Sequence, residues 1–357
     1  MKILNAALEA EKKAWLAIWQ KWDGKEVYAH PDYVSLYLDE HSQACCAVSE
    51  EKESTVIYPF ILRDLSAEPC YETSMEKAYD ITTAYGYGGC YMWGTADRRT
   101  SATRFYAEFQ EWARQNRIVS EFVRFSLDSM TREFYPGCVE LNNDNVVVDL
   151  TVDKETLWHN FKHKVRKNVN RAMNNQVKVE CDLQGENLEA FLEIYYSTME
   201  RREADSDYYF PREYFEAIGR DLKGQFAYFH AVFEGKVIST ELVLVSDYNI
   251  YSFLGGTKEE YFDLRPNDLL KYEIINWGRE NGKKRFILGG GYTPHDGIFN
   301  YKLTFAPEGI WPFYVGKQIF DPQTYNFLVK NKQALCEACY YEWNSKTSFF
   351  PLYRIKF

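Results

Sequence analysis

The sequence predicts a mixed α/β protein built as two units of similar plan, and three observations carry that prediction. The 357 residues amount to about two domains at ~150 residues each. Stretches in which β-branched and aromatic residues alternate with polar ones are interleaved with helical stretches of about fifteen residues. TRFYAEFQEWARQNRIVSEFVRFSL and LLKYEIINWGRENGKKRFILGGG then share one order of parts: helix, short basic turn, strand. Trp112 and Trp277 are similarly placed in the two pieces, which reads as a degenerate duplication.

In the first unit the pattern from Val27 to Asp64 is strand-like, and SQACCAVSE followed by ESTVIYPFILRDL predicts a hairpin. ITTAYGYGGCYMWG is a loop rich in Gly and Tyr. Phe105, Phe109, Trp112 and Ala113 then fall on one helical face before the strand EFVRFSL. The second unit opens with a single expected helix, KETLWHNFKHKVRKNVNRAMNN, and a second, LEAFLEIYYSTMERR. FAYFHAVFEGKVISTELVLVSDYNIYSFLGGT reads as three successive antiparallel strands. RPNDLLKYEIINWGRENG is a helix that starts near Asn267 or Asp268 and stops before Gly282, and KRFILGG is the next strand. Phe299, Tyr301, Leu303 and Phe305 alternate with polar residues and predict a final strand. From Trp311 onward the tail is expected to pack back on the first unit. The domains are therefore 1–150, joined by 310–357, and 151–309.

Composition narrows the function. A net charge of -10 argues against a surface that is a nucleic-acid footprint throughout, because phosphates are bound by clustered Lys and Arg. A local patch stays open. No apolar run approaches the ~20 residues of a membrane span, so neither a span nor a signal peptide is expected. Eight cysteines are too few for a disulfide scaffold, and reduced thiols in a cytoplasm are expected. Cys336 and Cys339 stand three apart without a second such pair or a nearby His, so no metal site is predicted. The aromatic content of 17% suits either a core or a long cleft in which a polar tip meets a ligand.

Four groups of residues could carry chemistry. Lys162, Lys164, Arg166, Lys167, Arg171 and Lys178 lie in a stretch with no acidic residue. On a helix they form adjacent positive stripes, fit either for a pyrophosphate or RNA backbone or for a solvated face. Lys302 can neutralise a phosphate or a transition-state oxyanion, worth on the order of 3 kcal/mol, or it is an ordinary edge residue. Glu241 stands between apolar neighbours in KVISTELVLVS, where a carboxylate is either a general base or half of an ion pair with an arginine. Arg201 either binds an anionic acceptor or offsets a helix C-terminus. His295 is a further candidate in its Gly-rich loop. Gly289, Gly290 and Gly291 read as room for close backbone approach, since no phosphate-loop motif is present.

AYGYGG, KHKVRKNVNRA, YYSTMERREADSDYYFPREYF, YSFLGGT, RPNDLLKYEIINWGRENG and LGGGYTPHDGIFNYKLTF, in that order, resemble the FemAB-type transferases and related proteins of double GNAT fold. The likeness covers most of the chain and is weakest at both ends. It implies two tandem GNAT-like acyltransferase domains with a cleft between them. It also implies transfer of an amino acid from aminoacyl-tRNA to an amine of a peptidoglycan precursor, or, in neighbouring branches, acyl transfer in cell-envelope or polysaccharide pathways. The family's lysine in its Phe-Lys-x-x-Phe motif maps onto Lys302 and Phe305, with Tyr301 in place of the first Phe. The YGYGG loop maps onto Tyr85, Tyr87 and Gly88, beside the implied acceptor groove. Ordinary GNAT enzymes cradle the CoA pyrophosphate on a Gly-rich loop. The corresponding stretch here runs from Asp263 to Asp268, has Pro266 in place of an N–H donor, and adds Asn267 to the candidate binding residues.

The expected function is N-acyl transfer without a metal or resident cofactor. The donor is aminoacyl-tRNA, with acyl-CoA as the alternative, and the acceptor is an amine on an anionic, lipid- or nucleotide-linked precursor. Lys302 and Glu241 are the expected catalytic residues. Lys162, Arg166, Arg201, Tyr85, Tyr87, Gly88, Tyr301, Phe305 and Asn267 are the expected binding residues. The alternatives are an acyl-CoA-dependent acetyltransferase of a nucleotide sugar and a non-catalytic binder of anionic glycans or polynucleotides. DNA binding and integral membrane association are not expected.

Overall fold

The computed structural model describes residues 1–127, 132–344 and 347–356. The chain divides into two compact units. One holds Met1–Trp22, Tyr28–Asn142 and Phe313–Phe357, the other Asp23–Val27 and Asn143–Pro312.

The first unit contains β1 (Lys2–Asn5), α1 (Glu9–Lys21), α2 (Pro31–Ser35), β2 (Ser42–Glu50), β3 (Ser54–Asp64), β4 (Tyr79–Thr82), β5 (Tyr91–Gly94), α3 (Arg98–Gln115) and β6 (Ile118–Arg124). Strands β1 to β4 are antiparallel in order, β4 runs parallel to β6, and β5 pairs with the start of β3. The C-terminal strand β13 (Ile310–Ile319) lays Val315–Ile319 antiparallel on β6. Asp97 caps α3 by accepting from the Thr100 N–H at 2.8 Å, and the helix buries Phe105, Phe109 and Ala113 against the sheet. The strand expected from Val27 is instead a 3-10 turn over Val27–Ala29 followed by α2. Pro31 sits in the first turn, and His30 Nδ1 accepts from the Asp32 N–H; both start a helix despite the apolar content. The C-terminal residues are held by Asp80, fully buried, which accepts from Arg63 Nε at 2.8 Å, Arg354 Nε at 2.7 Å and the Tyr353 hydroxyl at 3.0 Å. Helix α10 (Pro322–Ala338) carries Cys336, buried, and Cys339, exposed, follows as its cap.

Glu121 of β6 is the one buried glutamate of this unit whose carboxylate is held by hydroxyls alone among the described residues. It accepts from Tyr58 at 2.7 Å and Tyr135 at 2.8 Å. Burial pushes it up from 4.5 to about 7, against the pull of those two bonds. The folded state therefore holds the proton more tightly than the unfolded chain, so this group's contribution to stability is full below pH 4.5 and is lost as pH rises to about 7. Glu121→Gln is expected to remove that decline. Thermal denaturation should show the variant gaining on wild type between about pH 5 and pH 8; an equal difference at both ends would refute it.

The second unit contains β7 (Cys138–Asp149), α4 (Lys154–Asn160), α5 (His163–Asn174), β8 (Lys178–Asp182), α6 (Leu188–Arg201), α7 (Arg212–Asp221), β9 (Phe226–Phe233), β10 (Lys236–Val245), β11 (Asn249–Thr257), α8 (Pro266–Glu280), β12 (Arg285–Gly289) and α9 (Gly297–Leu303). Strands β8, β9, β10 and β11 are antiparallel neighbours, β11 is parallel to β12, and β12 is antiparallel to β7. This repeats the first unit strand for strand: four antiparallel strands, a fifth parallel to the fourth, a sixth antiparallel to the fifth. Helix α8 joins the fourth and fifth strands as α3 does. The core gathers Val165, Val169, Phe229, Val243, Leu270, Ile274 and Phe286 from α5, the sheet and α8.

Two elements of the second unit differ from the sequence-based expectation. The single basic helix is two, because buried Phe161 and the α5 cap Lys162 take extended backbone between α4 and α5. The stretch expected as a strand from Phe299 to Phe305 begins as helix α9. Asp296 caps it, accepting from the N–H groups of Phe299 at 2.8 Å, Tyr292 at 2.7 Å and Thr293 at 3.0 Å. A β-carbon at Gly291 would lie 2.2 Å from the Asp296 carboxylate, so this turn requires glycine there. The strand-like alternation covered too few residues to outweigh a strong cap.

Candidate active site

The second unit's sheet opens where its parallel pair ends. β11 pairs with β12 only through Asn249–Tyr251 against Arg285–Ile287. Opposite, the β10–β11 register shifts between Leu242 and Val243, and such a bulge increases local twist. The strands part beyond Tyr251, and polar groups from β10, β11, α8 and α9 collect there.

Glu241, on β10, is buried and forms an ion pair with Lys271 of α8 at 2.5 Å. Lys271 also donates to the Ser252 hydroxyl at 2.8 Å. The partner is thus a buried lysine, where the residue order suggested an arginine on a wet face. Lys302, in the last turn of α9, donates to the carbonyl oxygen of Gly290, just past β12, at 2.6 Å. Burial, and after it the charge of Lys271, lowers the Lys302 ammonium to about 8, against the pull of Glu241 and Asp296. Lys302 is therefore not a strand-edge side chain; it shares one electrostatic neighbourhood with Glu241, and Lys271 stands in that same neighbourhood.

Tyr301 and Asn267 also meet, the Asn267 amide donating to the Tyr301 hydroxyl at 2.9 Å. Burial raises the Tyr301 hydroxyl well above its ordinary value, and Asp268 and Glu241 add to this. Asp268, at the start of α8, accepts from Asn168 of α5 at 3.2 Å and is raised by burial. Phe305 packs edge-on to Phe161 and Tyr301, and the Lys162 N–H donates to the Thr304 carbonyl at 2.9 Å. The basic helix thus begins beside the turn that carries Lys302.

Other expected binding residues have structural work. Arg166 donates through Nη1 to the carbonyls of His159 at 2.9 Å and Phe161 at 2.6 Å, closing the end of α4. Arg201 donates to the Thr257 carbonyl at 3.2 Å and lies 5.0 Å from the centre of the Phe262 ring. His295 is exposed, 3.7 Å from Asp144. In the first unit, Tyr85 is exposed, Tyr87 packs on Tyr28 and Phe313, and Gly88 bridges to Phe125. A β-carbon at Gly86 would strike the Tyr28 ring at 2.3 Å, so the loop needs glycine to lie on that ring. Arg124 lies 5.4 Å from the centre of the Tyr85 ring and 5.8 Å from that of Phe122. It makes no side-chain hydrogen bond or ion pair among the described residues.

Lys271, Ser252, Asp268 and Arg124 escaped the sequence reading. Lys271 had a usable signal: it stands within the apolar stripe of Leu270, Ile274 and Ile275, where a lone cation needs a buried partner.

Residues 159–303 match the family model described as an acetyltransferase (GNAT) domain. A stretch of 85 residues is 26% identical to the lipid II:glycine glycyltransferase of Staphylococcus haemolyticus (strain JCSC1435), covering 24% of this chain and 20% of that protein. The chain thus matches about a fifth of that relative's length. The fold resembles the crystal structure of FemX with a TM-score of 0.67 at 12% identity, over 91% of this chain and 99% of that one. It resembles L-PGS from Bacillus licheniformis with a TM-score of 0.55 at 12% identity, over 93% and 98%. No helix among the described residues is long and apolar enough to cross a membrane. Residues 159–303 thus carry a match to a GNAT acetyltransferase domain on the unit that holds Lys302, and the chain as a whole shares the fold of FemX.

Proposed function

We propose that the chain transfers an aminoacyl group from aminoacyl-tRNA to an amine of an anionic cell-wall or glycan precursor. The observation that carries this reading is the Lys302 ammonium, held by the Gly290 carbonyl beside the opening between β11 and β12.

The amine attacks the ester carbonyl, the new C–N bond forms, and a tetrahedral oxyanion develops. A preorganised ammonium there stabilises that charge and adds no reorganisation at the moment of reaction. Collapse breaks the C–O bond to the ribose. The amine proton passes to the leaving ribose oxygen, by way of Glu241 or a substrate phosphate. An activated ester needs little beyond positioning and charge stabilisation.

The start of α8 favours this donor over acyl-CoA. Pro266 supplies no N–H to a pyrophosphate, and the Asp268 carboxyl is buried in the first turn, where it would oppose a second anion. Purified protein given labelled aminoacyl-tRNA and envelope precursors is expected to label the precursor in a ribonuclease-sensitive way. Release of free thiol from acyl-CoA with transfer insensitive to ribonuclease would replace the donor, and no product from either would favour a binding protein.

A further inference from the structure

The exposed side of α5 is built differently from the rest of the surface. Lys162, Lys164, Lys167 and Lys178 are exposed and make no ion pair among the described residues, in a chain of net charge -10. Arg171 has only Asp263, at 4.0 Å. Beside them runs an open groove of about 790 Å³ lined by Trp158, His163, Lys167, Asn170, Arg171 and Asn174, among others. Holding this many like charges together is unfavourable unless a counter-charge arrives from outside.

The layout selects the ligand. Lys164, Lys167 and Arg171 are separated by three and four residues on one face of the helix, rises of about 4.5 and 6 Å. One phosphate can meet one or two of them, whereas a strand of phosphates can meet the row. A lipid surface fits less well, because Val165, Val169 and Ala172 are buried in the core and leave little to insert into hydrocarbon. The asparagine amides and the Trp158 ring in the groove suit ribose, phosphate oxygens and an exposed base. The Lys162 end abuts the turn after α9 through the Thr304 carbonyl, so a strand on this helix would lead toward Lys302.

We infer that the basic surface made by the outer face of α5, its cap residue Lys162 and Lys178 at the start of β8 is a docking surface for an RNA backbone. The inference deepens the proposed function by naming where the donor's polynucleotide is held. The test measures binding of deacylated bulk tRNA by fluorescence anisotropy across a salt series. It compares wild type, the triple variant Lys162→Glu/Lys164→Glu/Lys167→Glu, and an equally charged control, Lys21→Glu/Lys52→Glu/Lys330→Glu, placed on the first unit. All six positions are exposed, and unchanged thermal unfolding verifies the folds. The α5 variant is expected to bind about tenfold or more weakly at about 100 mM salt, with the log–log salt slope reduced by about 2 to 3, while the control stays close to wild type. Equal binding by all three, or equal loss in both variants, would overturn the inference, as would loss of binding to phosphatidylglycerol vesicles but not to tRNA. Failure of the donor reading looks different: ribonuclease-insensitive transfer from acyl-CoA by a protein whose α5 still binds tRNA leaves this surface standing.

Discussion

Lys302→Ala is expected to lower kcat on the order of 10²- to 10³-fold, the loss associated with removing one oxyanion donor, with a smaller change in KM. Its ammonium is held on the Gly290 carbonyl beside the sheet opening, and burial and Lys271 bring it to about 8. Catalysis that depends on the charged form therefore falls as pH rises through about 8. Lys302→Arg keeps its charge and should flatten that fall. Stability moves the other way. The folded value lies below an ordinary lysine's, so between about 8 and 10.5 the unfolded chain binds more protons and stability rises with pH. The alanine variant thus removes a cation that the fold disfavours at neutral pH, and its melting temperature is expected to hold while turnover collapses. Activity within about twofold of wild type would remove Lys302 from the mechanism.

The second large effect comes from the buried pair. Glu241→Ala leaves Lys271 charged and without its carboxylate, which costs about 3–5 kcal/mol for a buried ion pair broken on one side. Replacing both partners, Glu241→Leu with Lys271→Met, removes the uncompensated charge and is expected to recover most of that loss in chemical denaturation. The double variant separates two roles that the single one confounds. If Glu241 carries the amine proton, the recovered fold stays poorly active. A double variant with wild-type stability and wild-type turnover would leave the pair a packing device.

Much of the architecture was legible because short-range signals were strong. The β2–β3 hairpin, the run β9 to β11 and the helices α3, α6 and α8 follow from local periodicity and turn residues. The repeated helix–turn–strand pieces with Trp112 and Trp277 expose the duplication that the two strand orders display. Where reading failed, a local device outweighed a pattern. Asp296 turned an alternating stretch into α9, Pro31 and His30 opened α2 in a strand-like run, and buried Phe161 split the basic helix. Of the candidate site, Lys302, Glu241, Tyr301 and Asn267 were named from residue type and resemblance. Their partners were not: Lys271 is thirty residues from Glu241 in sequence, and the carbonyl acceptors of Arg166 come from the end of α4.

The resemblance marked Lys302 for acyl transfer; what the sequence determined by itself is two α/β units of one plan and an acidic chain with one uncompensated basic stretch. These depend on residue type and on separations of a few positions along the chain. Only the tertiary structure decided which charge neutralises which. Glu241 and Lys271 pair because β10 and α8 pack in one core, and the Lys302 ammonium falls to about 8 because burial and a second lysine meet there. Desolvation and Coulomb energy depend on distances in space, and those are set by which elements pack together, not by order along the chain.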